Sequence, residues 1–208
     1  MGDITEVRFH SRGGQGGATA AKILGMAAFF DGKYSTSLAV YGAERRGAAI
    51  ISGTRISDTE VKRYSNLRSP DYIVIIDPVL VEIADVTAGA SENTIFLINN
   101  RGECPPALED YRLYAVDVTS ISLDLGLTVA GTPVLNTPML GALAKLGLVK
   151  QTSLKRAIKK IYSDPRNIKA AEIAYERVVR VQNLQYTLAA SEELEEEAYE
   201  ELEAEGAI

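Results

Sequence analysis

The segment Ser11-Arg12-Gly13-Gly14-Gln15-Gly16-Gly17 carries the residue types most suited to chemistry. Glycines let backbone N–H groups approach a ligand with no Cβ in the way. A helix that follows them points its positive end at the same place. Together these features make an anion site for a phosphate or a carboxylate. Arg12 adds a positive charge to it, so Arg12, Gly13, Gly14, Gln15 and Gly16 are candidate binding residues. The spacing is not that of a dinucleotide fingerprint. With Gly14 and Gly16 as its first two glycines, the third position is Thr19, and no acidic residue ends the second strand to hold a ribose. Nor is it a P-loop, because Gly17 to Lys22 lacks the GK[ST] ending. A tight turn whose glycines serve only close packing fits the same residues.

Two further segments qualify. Tyr41-Gly42-Ala43-Glu44-Arg45-Arg46-Gly47 sets two arginines between glycines. The guanidinium fork matches carboxylate and phosphate, and Glu44 is placed to fix one of them. A solvated charge cluster is the plainer reading of Arg45 and Arg46. Asn136-Thr137-Pro138 opens a helix, with Thr137 as its expected cap and Pro138 at its first position. Asn136 and Thr137 are thus a second candidate donor group, although ordinary capping explains them equally well. His10 and Cys104 are the only residues of their types; a structural role suits His10, and an incidental one suits Cys104 beside Pro105-Pro106. Asp77 ends a strand where open α/β sheets bind ligands, but a turn role before Pro78 is the simpler account.

The elements that must position these residues follow from periodicity. Val7 to His10 reads as a first strand and Ala18 to Phe30 as a helix stopped by Asp31-Gly32. Tyr34 to Tyr41 and Ala48 to Ser57 read as extended. Tyr72 to Pro78 is a continuous apolar, β-branched run, as a strand covered on both faces requires. Thr94 to Ile98 and Leu113 to Val118 are further strands. Helices are expected over Val79–Ala84, Ser120–Gly126, Asn136–Leu146 and Thr152–Tyr162, with a last one from Pro165 through Val181. The alternation predicts an α/β, Rossmann-like three-layer fold on a largely parallel or mixed sheet, with a C-terminal helical extension.

Length and composition set bounds on function. At 208 residues, 46% hydrophobic and 24% charged, the chain can bury a core without staples. One cysteine rules out an internal disulfide, and a zinc or iron–sulfur site built from this chain's cysteines. It also fits a reducing compartment. The net charge of −6 is local: Ser191 to Ile208 holds nine Glu and no Lys or Arg, and without it 22 basic residues face 19 acidic ones. We expect one domain over residues 1–187 and an acidic tail over 188–208. No signal peptide or membrane span is evident, and no nucleic-acid or membrane partner is expected. The expected location is the cytoplasm.

The three segments, in this order, resemble the gamma subunit of the pyruvate/2-ketoisovalerate (2-oxoacid) ferredoxin oxidoreductase family. The resemblance rests on Gly13-Gly14-Gln15-Gly16-Gly17 with Thr19 to Gly25, on Asp31-Gly32-Lys33-Tyr34-Ser35 and on Tyr41 to Ala48. It continues through Thr54 to Ser57, Ser69-Pro70-Asp71-Tyr72 and Asn136 to Ala142. It implies a heteromeric enzyme that decarboxylates a 2-oxoacid on thiamine diphosphate with magnesium. Electrons would pass through [4Fe–4S] clusters to ferredoxin, and the acyl group to coenzyme A. Alpha-, beta- and delta-type partners would hold thiamine and clusters, leaving this chain as scaffold and anion-binding wall, inactive alone. The glycine turn would then face a phosphate-bearing ligand, with coenzyme A foremost. Arg45 and Arg46 would bind the same ligand or clamp a neighbouring subunit. Against this stand a free-standing nucleotide- or flavin-binding oxidoreductase and a non-catalytic assembly module.

Overall fold

The computed structural model describes residues 4–40, 48–62 and 67–181. The first strand, β1 (Ile4–Arg12), leads through the glycine turn into α1 (Gly17–Phe30). A hairpin pair follows, β2 (Tyr34–Val40) and β3 (Ala49–Ser57). Then come β4 (Tyr72–Ile75), the single turn α2 (Leu80–Ile83), β5 (Ile95–Ile98), a 3-10 turn at Pro106–Leu108 and β6 (Arg112–Ala115). The chain continues through α3 (Val118–Asp124) and a two-residue ribbon, β7 (Thr128–Val129) with β8 (Thr132–Pro133). Three helices, α4 (Asn136–Lys145), α5 (Gln151–Ile161) and α6 (Arg166–Arg177), precede β9 (Val179–Arg180).

The main sheet has the order β2-β3-β1-β4-β5-β6-β9. Its centre, β1-β4-β5-β6, is parallel, and β2, β3 and β9 run antiparallel to their neighbours. The sheet is therefore mixed. It reverses its direction of growth at β1, and the carboxyl ends of strands at such a switch point are where open α/β sheets bind ligands.

Residue pattern explains the layers. In the β4 run Val74 and Ile76 join a core shared with α1, α4, α5 and α6, while Ile73 and Ile75 join a second core with Leu80, Phe96 and Leu108. Both faces are covered, as the unbroken apolar run requires. Helix α1 lies unusually close to the sheet. A Cβ on Gly17 would collide with Ser11 Oγ, and one on Gly25 would stand 2.7 Å from Ser37 Oγ. Ser37 Oγ and Thr54 Oγ1 both donate to the Ala21 carbonyl (2.9 and 2.7 Å), and Ser35 Oγ donates to Gly25 O (2.8 Å). Helix α4 is buried along nearly its whole length, and it reaches α6 only because Gly141 leaves room for the Ala171 carbonyl.

Several boundaries differ from the sequence reading. Strand β6 stops at Ala115 because Asp117 caps α3, accepting from Ser120 N–H at 2.9 Å. The last helix ends at Arg177, and Val178 turns into β9, whose pairing with β6 competes successfully with helical continuation. Thr137 is not a cap: α4 begins at Asn136, and Thr137 Oγ1 donates to Asn167 Oδ1 (3.1 Å). The acidic tail expected over residues 188–208, Arg45 and Arg46 all lie outside the described residues. Among the described residues, no helix is long and apolar enough to cross a membrane.

The polar face of β1 is buried too. Glu6 pairs with Arg55 across β1 and β3 at 2.7 Å. The Arg8 guanidinium donates to Ala88 O (2.7 Å) and Val86 O (2.9 Å). His10 is only 3% exposed. Burial first, and the nearby Arg8 charge second, pull its pKa down to about 4 despite the opposing pull of Asp85. It is therefore a neutral, structural imidazole at physiological pH. Between pH 6.5 and pH 4 the unfolded chain takes up a proton at this position that the folded chain refuses. Stability from His10 is accordingly complete above pH 6.5 and lost as pH falls toward 4, on the order of 2–3 kcal/mol by linkage. Urea denaturation of wild type and His10→Asn at pH 7 and pH 4.5 should show the wild type losing more stability on acidification. Equal losses would contradict this assignment.

Candidate functional site

The site is built on the carboxyl ends of β1 and β4, adjacent parallel strands. The turn leaving β1 is closed by Gln15 N–H to Arg12 O (3.1 Å) and anchored by Gly13 N–H to Ala48 O (3.0 Å). Gly14 and Gly16 have φ of 96° and 81°, a region costly for residues with a Cβ. Gly14 is exposed, and a Cβ there would meet nothing within 4 Å, so its backbone stands open to a ligand. Among the described residues no side chain caps α1, and its first turn holds no acidic residue. The amides of a helix's first turn have no partner within the helix, so they and the helix dipole remain available to an anion.

Asp77 is the residue that the sequence reading undervalued. Its carboxylate does bond the turn after β4, accepting from Val79 N–H at 3.2 Å, as expected. It also reaches across to the glycine turn. Asp77 Oδ2 lies 2.9 Å from Arg12 Nε and accepts from Gln15 Nε2 at 2.7 Å. Gln15 Oε1 in turn accepts from Arg12 N–H at 2.6 Å. Arg12 therefore does not bring an unopposed charge to the turn, because Asp77 neutralises it. The available signal was an Asp at the end of the strongest strand, but sequence gives no register, and so could not show that β4 lies beside β1.

The second predicted segment meets the first. Asn136 Nδ2 donates to Gly16 O (3.4 Å) and to Tyr162 Oη (2.9 Å), bridging 120 positions of sequence to the glycine turn. A Cβ on Gly16 would stand 2.6 Å from Asn136 Nδ2. Asn136 and Thr137 are 2% and 0% exposed; the Asn136 side chain braces the turn from beneath, whereas Thr137 Oγ1 is turned to Asn167. Ser52, 1% exposed, places an unpartnered Oγ under the start of α1, 3.3 Å from where a Gly17 Cβ would be. Ala48, which follows the segment carrying Arg45 and Arg46, lies at this same edge of the sheet.

The geometry separates two glycines. Gly14→Ala should cost about 1–2 kcal/mol, the backbone strain alone. Gly16→Ala carries that strain plus the collision with Asn136, and should lower the melting temperature clearly more. Thermal unfolding of the two variants checks this, and an equal effect would show that the turn and α4 do not press on each other.

Known proteins resemble this chain in sequence and fold. Residues 6–177 match the family described as pyruvate ferredoxin/flavodoxin oxidoreductase. Pyruvate synthase subunit PorC of Methanothermobacter marburgensis is 42% identical over 179 residues, covering 84% of this chain and 98% of that one. The pyruvate/ketoisovalerate oxidoreductases common subunit gamma of Thermococcus kodakarensis is 42% identical over 185 residues, covering 85% and 98%. The crystal structure of pyruvate oxidoreductase subunit PORC from Thermotoga maritima superposes with a TM-score of 0.74 at 30% identity, covering 86% of this chain and 99% of that one. With a match across 6–177 and relatives near 40% identity over almost their full length, the chain belongs to the pyruvate ferredoxin/flavodoxin oxidoreductase family.

Proposed function

We propose that this chain is the gamma-type subunit of a cytoplasmic 2-oxoacid:ferredoxin oxidoreductase, and that its glycine turn binds a phosphate group of coenzyme A. Names of relatives that carry gamma or PorC subunits of pyruvate oxidoreductases support the first part. The observation that carries the second is the open backbone at Gly14, at the uncapped start of α1 and the switch point of the sheet. In this reading Gly13, Gly14 and Gly16 present backbone to the ligand, and Arg12 and Gln15 present side-chain donors. Asn136 holds the turn in place from below, and Thr137 ties the same end of α4 to Asn167. Arg45 and Arg46 extend the same anion-binding wall or clamp a partner subunit.

The rest of the reaction falls to alpha-, beta- and delta-type partners. With one cysteine in the chain, and no group of three or more His, Cys, Asp or Glu among the described residues, this subunit does not offer the donor set of a cluster. Thiamine diphosphate with magnesium would supply the carbanion chemistry there, and [4Fe–4S] clusters the path to ferredoxin. This chain's residues contribute orientation: they would hold the acyl acceptor by its phosphate while its thiol enters a shared chamber, which is the proximity effect of a positioned reactant. A free-standing oxidoreductase fits the site less well, since the turn lacks both the third glycine and the ribose acid of a dinucleotide site.

Arg12→Ala in the assembled enzyme should raise the KM for coenzyme A about tenfold, as loss of one charge-assisted hydrogen bond does, and leave the KM for the 2-oxoacid unchanged. Unchanged coenzyme A dependence would remove the turn from the site.

A further inference from the structure

The donors of the glycine turn already hold an anion, and it belongs to the protein. We infer that Asp77 is a specificity-determining residue: its carboxylate occupies Arg12 and Gln15 as a placeholder that the incoming phosphate must displace. The inference rests on the phosphate-binding reading of the turn. Asp77 Oδ2 accepts from Gln15 Nε2 at 2.7 Å and stands 2.9 Å from Arg12 Nε in an ion pair without hydrogen-bond alignment, and Oδ1 accepts from an Arg12 terminal nitrogen at 3.5 Å. The Asp77 side chain is 11% exposed and that of Arg12 34%, so the pair sits at the rim, with the guanidinium on the solvent side. Asp77 has a second anchor in Val79 N–H, which holds it when Arg12 turns away.

Charge decides what such a site accepts. While the pair is intact its net charge is nil, so a distant anion gains little from it. A monoanionic carboxylate that replaces Asp77 on Arg12 exchanges one like group for another and leaves Asp77 facing it. A phosphate dianion brings more charge and three acceptor oxygens, enough to engage Arg12, Gln15 and the first-turn amides of α1 together. The placeholder therefore favours a phosphate over the carboxylates of 2-oxoacids, which any enzyme of this class meets in quantity. It also keeps the turn folded in the absence of ligand, because Gln15 bridges Arg12 N–H and Asp77 at once.

The experiment is a double-mutant cycle in the assembled complex, with coenzyme A affinity read by calorimetry and inhibition by acetate read in parallel. Asp77→Asn keeps the acceptor for Val79 N–H and removes the charge. It should tighten coenzyme A about fivefold to tenfold and make acetate a better competitor. In an Arg12→Ala background no arginine is left to free, although Asp77 still holds Gln15, so the effects of the two changes should not add; strict additivity on both readouts would overturn the placeholder. Asp77→Ser, which also retains an acceptor for the turn, replaces Asp77→Asn if that variant does not assemble. Weaker coenzyme A binding in Asp77→Asn would overturn the placeholder while leaving the phosphate site standing, because Asp77 would then only position Arg12. Coenzyme A affinity indifferent to Arg12→Ala in both backgrounds would overturn the phosphate-binding reading itself.

Discussion

Helix α1 must leave β1 at close range, and almost every feature of the site descends from that constraint. The helix lies flat against β1, β2 and β3 because Gly17 and Gly25 carry no side chain where Ser11 and Ser37 rise to meet them. The hydroxyls beneath take up helix carbonyls at Ala21 and Gly25. Such contacts put polar groups into a buried layer, where each needs a partner. They also fix the helix along its axis, since a shift by one residue would bring a Cβ onto a hydroxyl. A helix held this way aims its first turn at one spot, and the turn that feeds it has to reverse within a few residues, which forces Gly14 and Gly16 to positive φ.

From that fixed turn the rest of the site is assembled by neighbours far away in sequence. Asn136 supports Gly16 from the start of α4, and α4 is set by the closeness of Gly141 to Ala171 on α6. Asp77 comes from the next parallel strand. Three separate stretches of chain thus meet at one turn through contacts of 2.6–3.5 Å, so small shifts in α4 or β4 are transmitted to it. Cores of this density move between discrete arrangements and do not deform smoothly.

Much of this was legible in the residues themselves. The unbroken run at Tyr72–Ile75 gave a central strand because only a strand covered on both faces tolerates it, and the glycine turn between β1 and α1 gave its own geometry. Long-range placement was not legible. Thr137 looked like a cap because a hydroxyl before Pro138 usually is one, but burial of α4 gave it Asn167 as a partner instead. Val178 and Val181 continued the apolar spacing of α6, and only the free edge of β6 decided that the chain should turn there. Arg8 and His10 alternate with Val7 and Phe9 as on a half-exposed strand. The segment around Val86 and Ala88 that covers part of that face has no periodicity that would announce it.

The pairing of Arg12 with Asp77 changes what the glycine turn means. A basic residue beside helix amides suggests a site that attracts any anion. With its charge answered from within, the turn of the proposed phosphate site would discriminate by the number and geometry of acceptors a ligand offers, and long-range attraction would play a smaller part. That would suit the proposed place of this chain in a 2-oxoacid oxidoreductase, where substrate carboxylates would otherwise compete. It also explains why composition is a poor guide here. The body's slight excess of basic residues says little about the site, because Arg12, which stands at its mouth, is neutralised, and the proposed selectivity lies in a carboxylate that a charge count would enter on the wrong side.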